Sequence, residues 1–320
     1  MSAPYDRALF TLPFPHLGYM AWIYNYTRNR VTLVLGPQPW SAPESLRIAA
    51  AERVTMMTGV PTQWALVLDR ADVDGTDLSS LRIVASGAAA APPELIRRLR
   101  ETLGVPVLNG YSQTEAGVIS GTVVGDPDDV VATTVGRPRA EVELRIVGAD
   151  GTTLPADAVG EVVCRSPAMM RGYWRDPELT AATIDADGWL HTGDLGRLRP
   201  DGNLVLAGRL KEMYIRGGYN VYPTEVEAVL TEHPDVIRAA VVGVPDPVLG
   251  ETGVAFVVPT SAAAAGGLTR EALAPWCTDR IADYKTPDHV VVVDDLPLTA
   301  VGKLDKNALA RRWAAQEVTR

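Results

Sequence analysis

Leu81-Arg-Ile-Val-Ala-Ser-Gly87, Pro92-Pro-Glu94 and Val105-Pro-Val-Leu-Asn109, read in succession, decide the fold class of this chain. The run 81–85 is short and apolar and is bounded by Ser86-Gly87, which fits a buried strand. Pro93 and Glu94 suit the first turn of a helix, and Gly104 suits its end. Residues 105–109 then return as a strand. Upstream, 31–35 and 54–59 read as strands, and Ser41-Ala-Pro-Glu44 offers a capping box for a helix reaching about residue 52. This β-α-β-α alternation predicts a parallel sheet carrying helices.

The texture changes after Gly117. Short strands at 142–147, 161–165 and 204–207 are separated by the turn pairs Asp150-Gly151, Asp187-Gly188 and Asp201-Gly202, an all-β pattern suited to a small barrel. A third texture begins near Lys211, with helices at 223–231, 270–281 and 305–316 and strands at 236–244, 254–258 and 289–293. The Ala/Gly-rich stretch 261–267 reads as an exposed loop. The expected class is therefore α/β. A large domain comprises a parallel-rich sheet with helices over 1–120 and a β-barrel-like subdomain over 121–209. A small α+β C-terminal domain follows over 210–320.

Composition narrows the function. The chain has 320 residues, 47% of them hydrophobic, and a formal net charge of -9. That length supports two domains and a sizeable core, and the acidic balance argues against sequence-independent nucleic-acid binding. Cys164 and Cys277 are too few for a disulfide framework or a thiolate zinc site and read as reduced packing residues. With no leader pattern and no apolar run near the length of a membrane span, the expected compartment is the cytoplasm.

Four strings carry chemistry: Asn109-Gly-Tyr-Ser-Gln-Thr-Glu115, Gly188-Trp-Leu-His-Thr-Gly-Asp194, Gly208-Arg-Leu-Lys-Glu-Met-Tyr-Ile-Arg-Gly-Gly-Tyr-Asn-Val-Tyr-Pro-Thr-Glu-Val-Glu227 and Leu296-Pro-Leu-Thr-Ala-Val-Gly-Lys303. Ser86-Gly-Ala-Ala-Ala and Tyr284-Lys-Thr-Pro287 accompany them. Their order and spacing resemble the adenylate-forming, AMP-binding superfamily over essentially the whole chain. The resemblance implies a fold with a mobile C-terminal lobe and a reaction that joins a carboxylate to the α-phosphate of ATP. The thiol of CoA then attacks the acyl-adenylate. ATP and CoA would be substrates and Mg²⁺ the metal.

The resemblance assigns the residues their roles. Lys303 would place its charge on the carboxylate and α-phosphate during adenylation, a task suited to a flexible point charge. By residue type alone it would read as a solvated loop lysine. Thr114 would donate to the α-phosphate and Glu115 would hold Mg²⁺, a hard cation that takes one or two carboxylates plus phosphate oxygens. Without the motif they read as a capping pair. Gly87, Ala88 and Ala89 would lie along the adenine, with Tyr111 as its flat platform, Asn109 at its amino edge, and Gly110 and Ser112 beside them. Asp194 would bridge the ribose hydroxyls with Arg209 donating to the same sugar; otherwise the two are a surface ion pair. Trp189 reads as core. Lys211 falls at the family's hinge. Arg216, Gly217, Gly218 and Tyr219 would wall the pantetheine tunnel, or else form a plain hairpin turn. His16 and Gly18, with Gly117, resemble the segment beside the acyl pocket, although Gly18 follows His16 after one residue rather than two.

Within that superfamily the adenylation domains of peptide synthetases place an aspartate near this histidine to hold a substrate ammonium; Phe14-Pro-His-Leu-Gly18 has none, and a buried unpaired ammonium is costly. An α-amino acid substrate is therefore not expected, and the resemblance of the 214–223 string to acyl-CoA synthetases implies a carboxylic acid–CoA ligase in fatty acid or related CoA metabolism, whose acid could be fatty, aryl or polycyclic. The family's Gly-rich phosphate loop has no counterpart in this sequence, so an N-terminally truncated ligase is expected. Three explanations stay open: a fragment, one half of a split ligase completed by a second polypeptide, or a non-catalytic remnant binding AMP, acyl-adenylate or a partner.

Overall fold

The computed structural model describes residues 3–12, 14, 16–89, 91–260, 267–299 and 303–317. The stretch 261–266 of the expected Ala/Gly-rich loop lies outside them, as do Pro13, Pro15, Ala90 and residues 300–302 of the quoted strings. The chain divides into two compact units, one over Met1–Thr192 and Gly196–Leu206, the other over Gly193–Leu195 and Ala207–Arg320.

The first unit opens with β1 (Arg7–Phe10), α1 (Leu17–Met20), α2 (Ile23–Arg28), β2 (Thr32–Leu35), α3 (Ala42–Ala51), β3 (Met56–Gly59), α4 (Pro61–Arg70), β4 (Ile83–Ser86), α5 (Pro93–Leu103) and β5 (Val107–Gln113). It continues with β6 (Gly117–Gly121), α6 (Asp128–Thr133) and β7 (Arg137–Pro138). These strands form one seven-stranded sheet in the order β2-β1-β3-β4-β5-β6-β7, parallel from β2 to β5 and antiparallel beyond.

Alternation along the strands explains why helices cover both faces. Leu9, Met57 and Val84 pack with Leu46, Trp64, Ile96 and Leu99 of α3, α4 and α5. Their neighbours Ala8, Phe10, Met56 and Ile83 pack with Tyr19 of α1 and Tyr26 of α2. Strands buried on both faces read as continuous apolar runs, as Ile83-Val84-Ala85 of β4 does, while Arg82 just before it pairs with Asp6 at 2.6 Å. The capping box expected at Ser41 is not formed. Ser41 makes no side-chain cap bond and Glu44 pairs instead with Arg47 one turn on, at 2.6 Å.

The β-rich stretch contains β8 (Glu143–Val147), β9 (Gly160–Arg165), α7 (Pro177–Thr183), β10 (Leu190–Leu198) and β11 (Leu204–Arg209), a four-stranded sheet in the order β11-β10-β9-β8. Its core holds Ile146, Val162, Cys164, Leu190 and Leu204 together with Tyr111 and Ile119. Trp189 is buried, with the Arg145 and Arg165 guanidiniums 4.0 and 4.3 Å from its ring centre.

The second unit is built from β12 (Tyr214–Arg216), β13 (Tyr219–Val221), α8 (Pro223–Thr231), β14 (Val236–Asp246), β15 (Gly250–Pro259), α9 (Arg270–Thr278), β16 (His289–Val292) and α10 (Lys306–Glu317). The strand order is β13-β12-β15-β14, with β16 parallel to β15. Period-two alternation again separates two cores. Val241, Ala255 and Val257 face α8 and α9 through Val226, Leu230 and Leu273. Ala240, Val242, Val254 and Phe256 face Leu309 and Trp313 of α10. Both cysteines are buried and free, and burial pushes the Cys164 thiol up to about 11. Among the described residues, no helix is long and apolar enough to cross a membrane.

Candidate active site

In the first unit the expected nucleotide residues gather at the ends of β4 and β5. β4 stops at Ser86, and Ala88 in the following turn has φ +65°, a left-handed conformation that costs a residue with a Cβ about 1 kcal/mol. Such outliers cluster at functional sites. Ser86 Oγ is buried with no hydrogen-bond partner among the described residues, an unusual state for a buried hydroxyl. On β5, Asn109 is buried and donates from Nδ2 to the Thr134 carbonyl at 3.0 Å. Tyr111 is 7% exposed and its ring packs with Ala116, Ile119 and Val142. Gly110 and Ser112 lie beside it on the same strand.

Thr114 and Glu115 occupy the turn between β5 and β6. Glu115 Oε1 accepts a hydrogen bond from Tyr173 Oη at 3.1 Å, and its main-chain oxygen accepts from Met170 N–H at 2.8 Å. Burial, followed by this bond to the carboxylate, raises the Tyr173 hydroxyl above its ordinary pKa. Sequence reasoning did not select Tyr173, because nothing in its local pattern marks a partner 58 residues away. Gly117 has φ +76°, and a Cβ there would lie 2.7 Å from Ala168 Cβ, so only glycine fits. His16 serves locally: its Nδ1 accepts from Gly18 N–H at 3.0 Å and caps α1.

The second unit assembles three of the predicted residues. Asp194 Oδ1 lies 3.2 Å from Arg209 Nε, the carboxylate 13% exposed and the guanidinium 59%. A Leu210 N–H to Gly193 carbonyl bond of 2.9 Å keeps the two segments side by side. Lys303 sits in a hairpin, its carbonyl accepting from Thr299 N–H at 2.7 Å while Asp305 N–H donates to the Pro297 carbonyl at 2.9 Å. Burial holds the Lys303 ammonium below the ordinary lysine range; the Arg209 charge acts in the same direction and Asp194 opposes it. Asp194, Arg209 and Lys303 therefore interact within one unit. Lys211 is exposed in the turn that follows β11.

The Arg216–Tyr219 string is the β12–β13 hairpin. Gly217 and Gly218 have φ +56° and +88°, as a two-residue turn between twisted strands requires. Arg216 donates two bonds to Asp288, at 2.7 and 2.6 Å, and Tyr219 stacks on Tyr284 at 4.7 Å. The Arg216 guanidinium is thus committed to an ion pair that sequence reasoning did not anticipate.

The donor set suits a nucleoside monophosphate. In the second unit one carboxylate can accept from sugar hydroxyls, an arginine can donate to the same sugar, and a lysine can meet phosphate. Among the described residues no three His, Cys, Asp or Glu side chains form a metal cluster. The single carboxylate of Glu115 still fits Mg²⁺, which is bound through one or two carboxylates plus substrate phosphates.

A parallel-sheet unit carrying Thr114-Glu115 after β5, and an α+β unit in which the charges of an Asp–Arg pair act on Lys303, suit an adenylate-forming architecture. The chain belongs to the AMP-binding enzyme family: the model of the AMP-binding enzyme matches residues 1–174 and that of the AMP-binding enzyme C-terminal domain matches 225–303. It is 45% identical over 309 residues to a 3-[(3aS,4S,7aS)-7a-methyl-1,5-dioxo-octahydro-1H-inden-4-yl]propanoyl:CoA ligase of Mycobacterium tuberculosis, covering 95% of this chain and 58% of that protein. An indoleacetate–CoA ligase of Aromatoleum aromaticum is 39% identical over 94% of this chain and 58% of its own length. An amide bond synthetase from Marinactinospora thermotolerans superposes with a TM-score of 0.86 at 38% identity, covering 97% of this chain and 63% of the other. The chain thus spans less than two thirds of these relatives.

Proposed function

We propose that the chain acts in an ATP-dependent carboxylic acid–CoA ligase, in which a carboxylate is adenylated and the acyl group then passes to the thiol of CoA. The observation that carries this reading is the Asp194–Arg209 pair at 3.2 Å with the half-buried Lys303 ammonium under the influence of both. Asp194 accepts from the ribose hydroxyls and Arg209 donates to the sugar. Lys303 neutralises charge on the α-phosphate and the incoming carboxylate, where a preplaced cation is most effective. In the first unit, Thr114 supplies a hydroxyl donor for a phosphate oxygen. Glu115, which accepts a hydrogen bond from Tyr173, would hold Mg²⁺, and the ion would supply charge to offset phosphate oxygens. The Gly217-Gly218 turn lines the approach of pantetheine, Lys211 is the hinge, and His16, Gly18 and Gly117 border the acyl pocket.

The relatives favour a ring-bearing acid as the first substrate class to test. Similarity to an amide bond synthetase favours a second reading, in which an amine rather than CoA takes the acyl group. On this reading the chain acts as part of a longer ligase or with a second polypeptide; the alternative is a non-catalytic module that binds AMP or an acyl-adenylate. The open edge of β2, where Leu35 is 73% exposed, supports a covering segment there, because unpaired strand edges invite pairing.

The test supplies synthetic ring-bearing acyl-adenylates and CoA to the chain. The thiol sulfur forms a bond to the acyl carbon as the acyl–phosphate bond breaks, releasing AMP. Acyl-CoA and AMP in equal amounts by mass spectrometry are expected. Acyl transfer to added amines but not to CoA would favour the second reading. A folded chain that neither binds nor consumes any acyl-adenylate would defeat both.

A further inference from the structure

Lys306 opens α10, three residues beyond Lys303, and no motif assigned it a task. Its Nζ lies 2.9 Å from Glu212 Oε2 and 2.8 Å from Glu227 Oε1, with the side chain only 18% exposed. Glu212 belongs to the turn immediately after Lys211. Glu227 lies on α8, and its Oε1 also accepts from Val241 N–H of β14 at 2.8 Å. Burial by itself would lower the Lys306 pKa, but Glu227 and Glu212 together outweigh it and raise the ammonium above the ordinary lysine value. An ordinary surface lysine keeps its head group in water. Lys306 instead satisfies two carboxylates at once, and withdrawing it would leave Glu227 buried without its counter-charge, a strongly unfavourable state.

The Lys303 hairpin grows directly from this fixed point. Asp305, adjacent to Lys306, donates its N–H to the Pro297 carbonyl, and Thr299 N–H donates to the Lys303 carbonyl. We propose that Lys306 is a positioning residue for Lys303: its paired bridges to Glu212 and Glu227 clamp the base of the hairpin to α8 and to the turn after Lys211. Lys303 is thereby held beside Asp194 and Arg209, the charged groups that act on it. A displacement at the Lys211 turn is transmitted to Lys303 through Glu212. The inference rests on the reading of Lys303 as the adenylating lysine, although the clamp itself is a property of the second unit alone.

The test is the pH profile of Lys303 acylation by acetic anhydride, read peptide by peptide by mass spectrometry on the intact chain. The variants are Glu212→Gln, Lys306→Met and Lys306→Arg. In the unaltered chain Lys303 titrates below an ordinary lysine. In Glu212→Gln the loosened hairpin returns Lys303 to water and its midpoint rises toward about 10.4. Electrostatics without a clamp predicts the opposite sign, because deleting a nearby negative charge lowers a lysine pKa. Lys306→Met gives the same rise, and Lys306→Arg, which retains both bridges, leaves the profile in place. Lys285, paired with Glu225 at 2.6 Å in the same unit, is the internal reference and stays unchanged. A fall or no change at Lys303 in Glu212→Gln, or a parallel shift at Lys285, overturns the proposal. AMP added to the unaltered chain should also slow Lys303 labelling. Loss of that protection with the Glu212→Gln rise intact would leave the clamp standing and defeat the nucleotide reading instead.

Discussion

Substituting Asp288 by alanine should destabilise the second unit. Asp288 accepts two bonds from Arg216 and one from the Thr252 hydroxyl, and the Arg216 and Asp288 side chains are 21% and 19% exposed. Removing one partner of a fully buried pair costs about 3–5 kcal/mol, mostly through the charge left behind. With about a fifth of each side chain in water, screening brings the expectation to about 2–3 kcal/mol. In a domain near 100 residues that lowers the unfolding temperature by about 10 °C or more, measurable by calorimetry.

The pH dependence has a definite sign. Burial raises the Asp288 pKa, but the bonds and charge of Arg216 and the Thr252 hydroxyl outweigh it and hold the carboxyl below its ordinary value. Its contribution is therefore complete above the unfolded carboxylate pKa, about 3.9, and fades as pH falls through the folded value. The gap between the unaltered chain and Asp288→Ala should be constant near neutrality and shrink in acid. Pairing Asp288→Ala with Arg216→Met should recover part of the loss, because both charges are then gone. A cost under about 0.5 kcal/mol, the size of an ordinary surface change, or strict additivity of the two substitutions, would refute the buried-pair account.

Two further outcomes follow from the site. Asp194→Ala removes two hydroxyl-to-carboxylate bonds worth about 1.5 kcal/mol each at the low end, so AMP should bind about 100-fold more weakly. Binding of 2′,3′-dideoxy-AMP should barely change, and an equal loss for both ligands by calorimetry would argue against ribose contact. Tyr173→Phe deletes the bond to Glu115 and should weaken Mn²⁺ binding to the AMP-saturated chain about five- to tenfold by paramagnetic resonance. Unchanged affinity there would leave Tyr173 without a role at the metal.

Much of this architecture was legible because short strands covered by helices on both faces leave mostly apolar runs bounded by turn residues. Residues 81–85 and 105–109 marked β4 and β5 to within two residues at their starts, and 223–231 marked α8 outright. β1 escaped because four residues running into Thr11 and Leu12 carry no period, and its burial is decided by β2 and β3 on either side. α4 escaped because it opens directly at Pro61 with no side-chain cap bond from Val60. The motif strings singled out Lys303, Asp194 and Arg209, and the structure places these three in one unit. The partners that orient or restrain such residues were not singled out. Tyr173 meets Glu115 across 58 residues, and Asp288 meets Arg216 across 72. Glu212 and Glu227 meet Lys306 only after β14, β15 and α9 have folded between them. Contacts of that range depend on tertiary packing, which no local pattern records.

The most direct measurement is a calorimetric titration of the folded chain with AMP, repeated on Asp194→Ala. Saturation at one AMP per chain, with the heat greatly reduced in the variant, is the predicted result. No saturable heat from the unaltered chain, or identical isotherms for the two proteins, would contradict the assignment of Asp194, Arg209 and Lys303 as the adenylate seat.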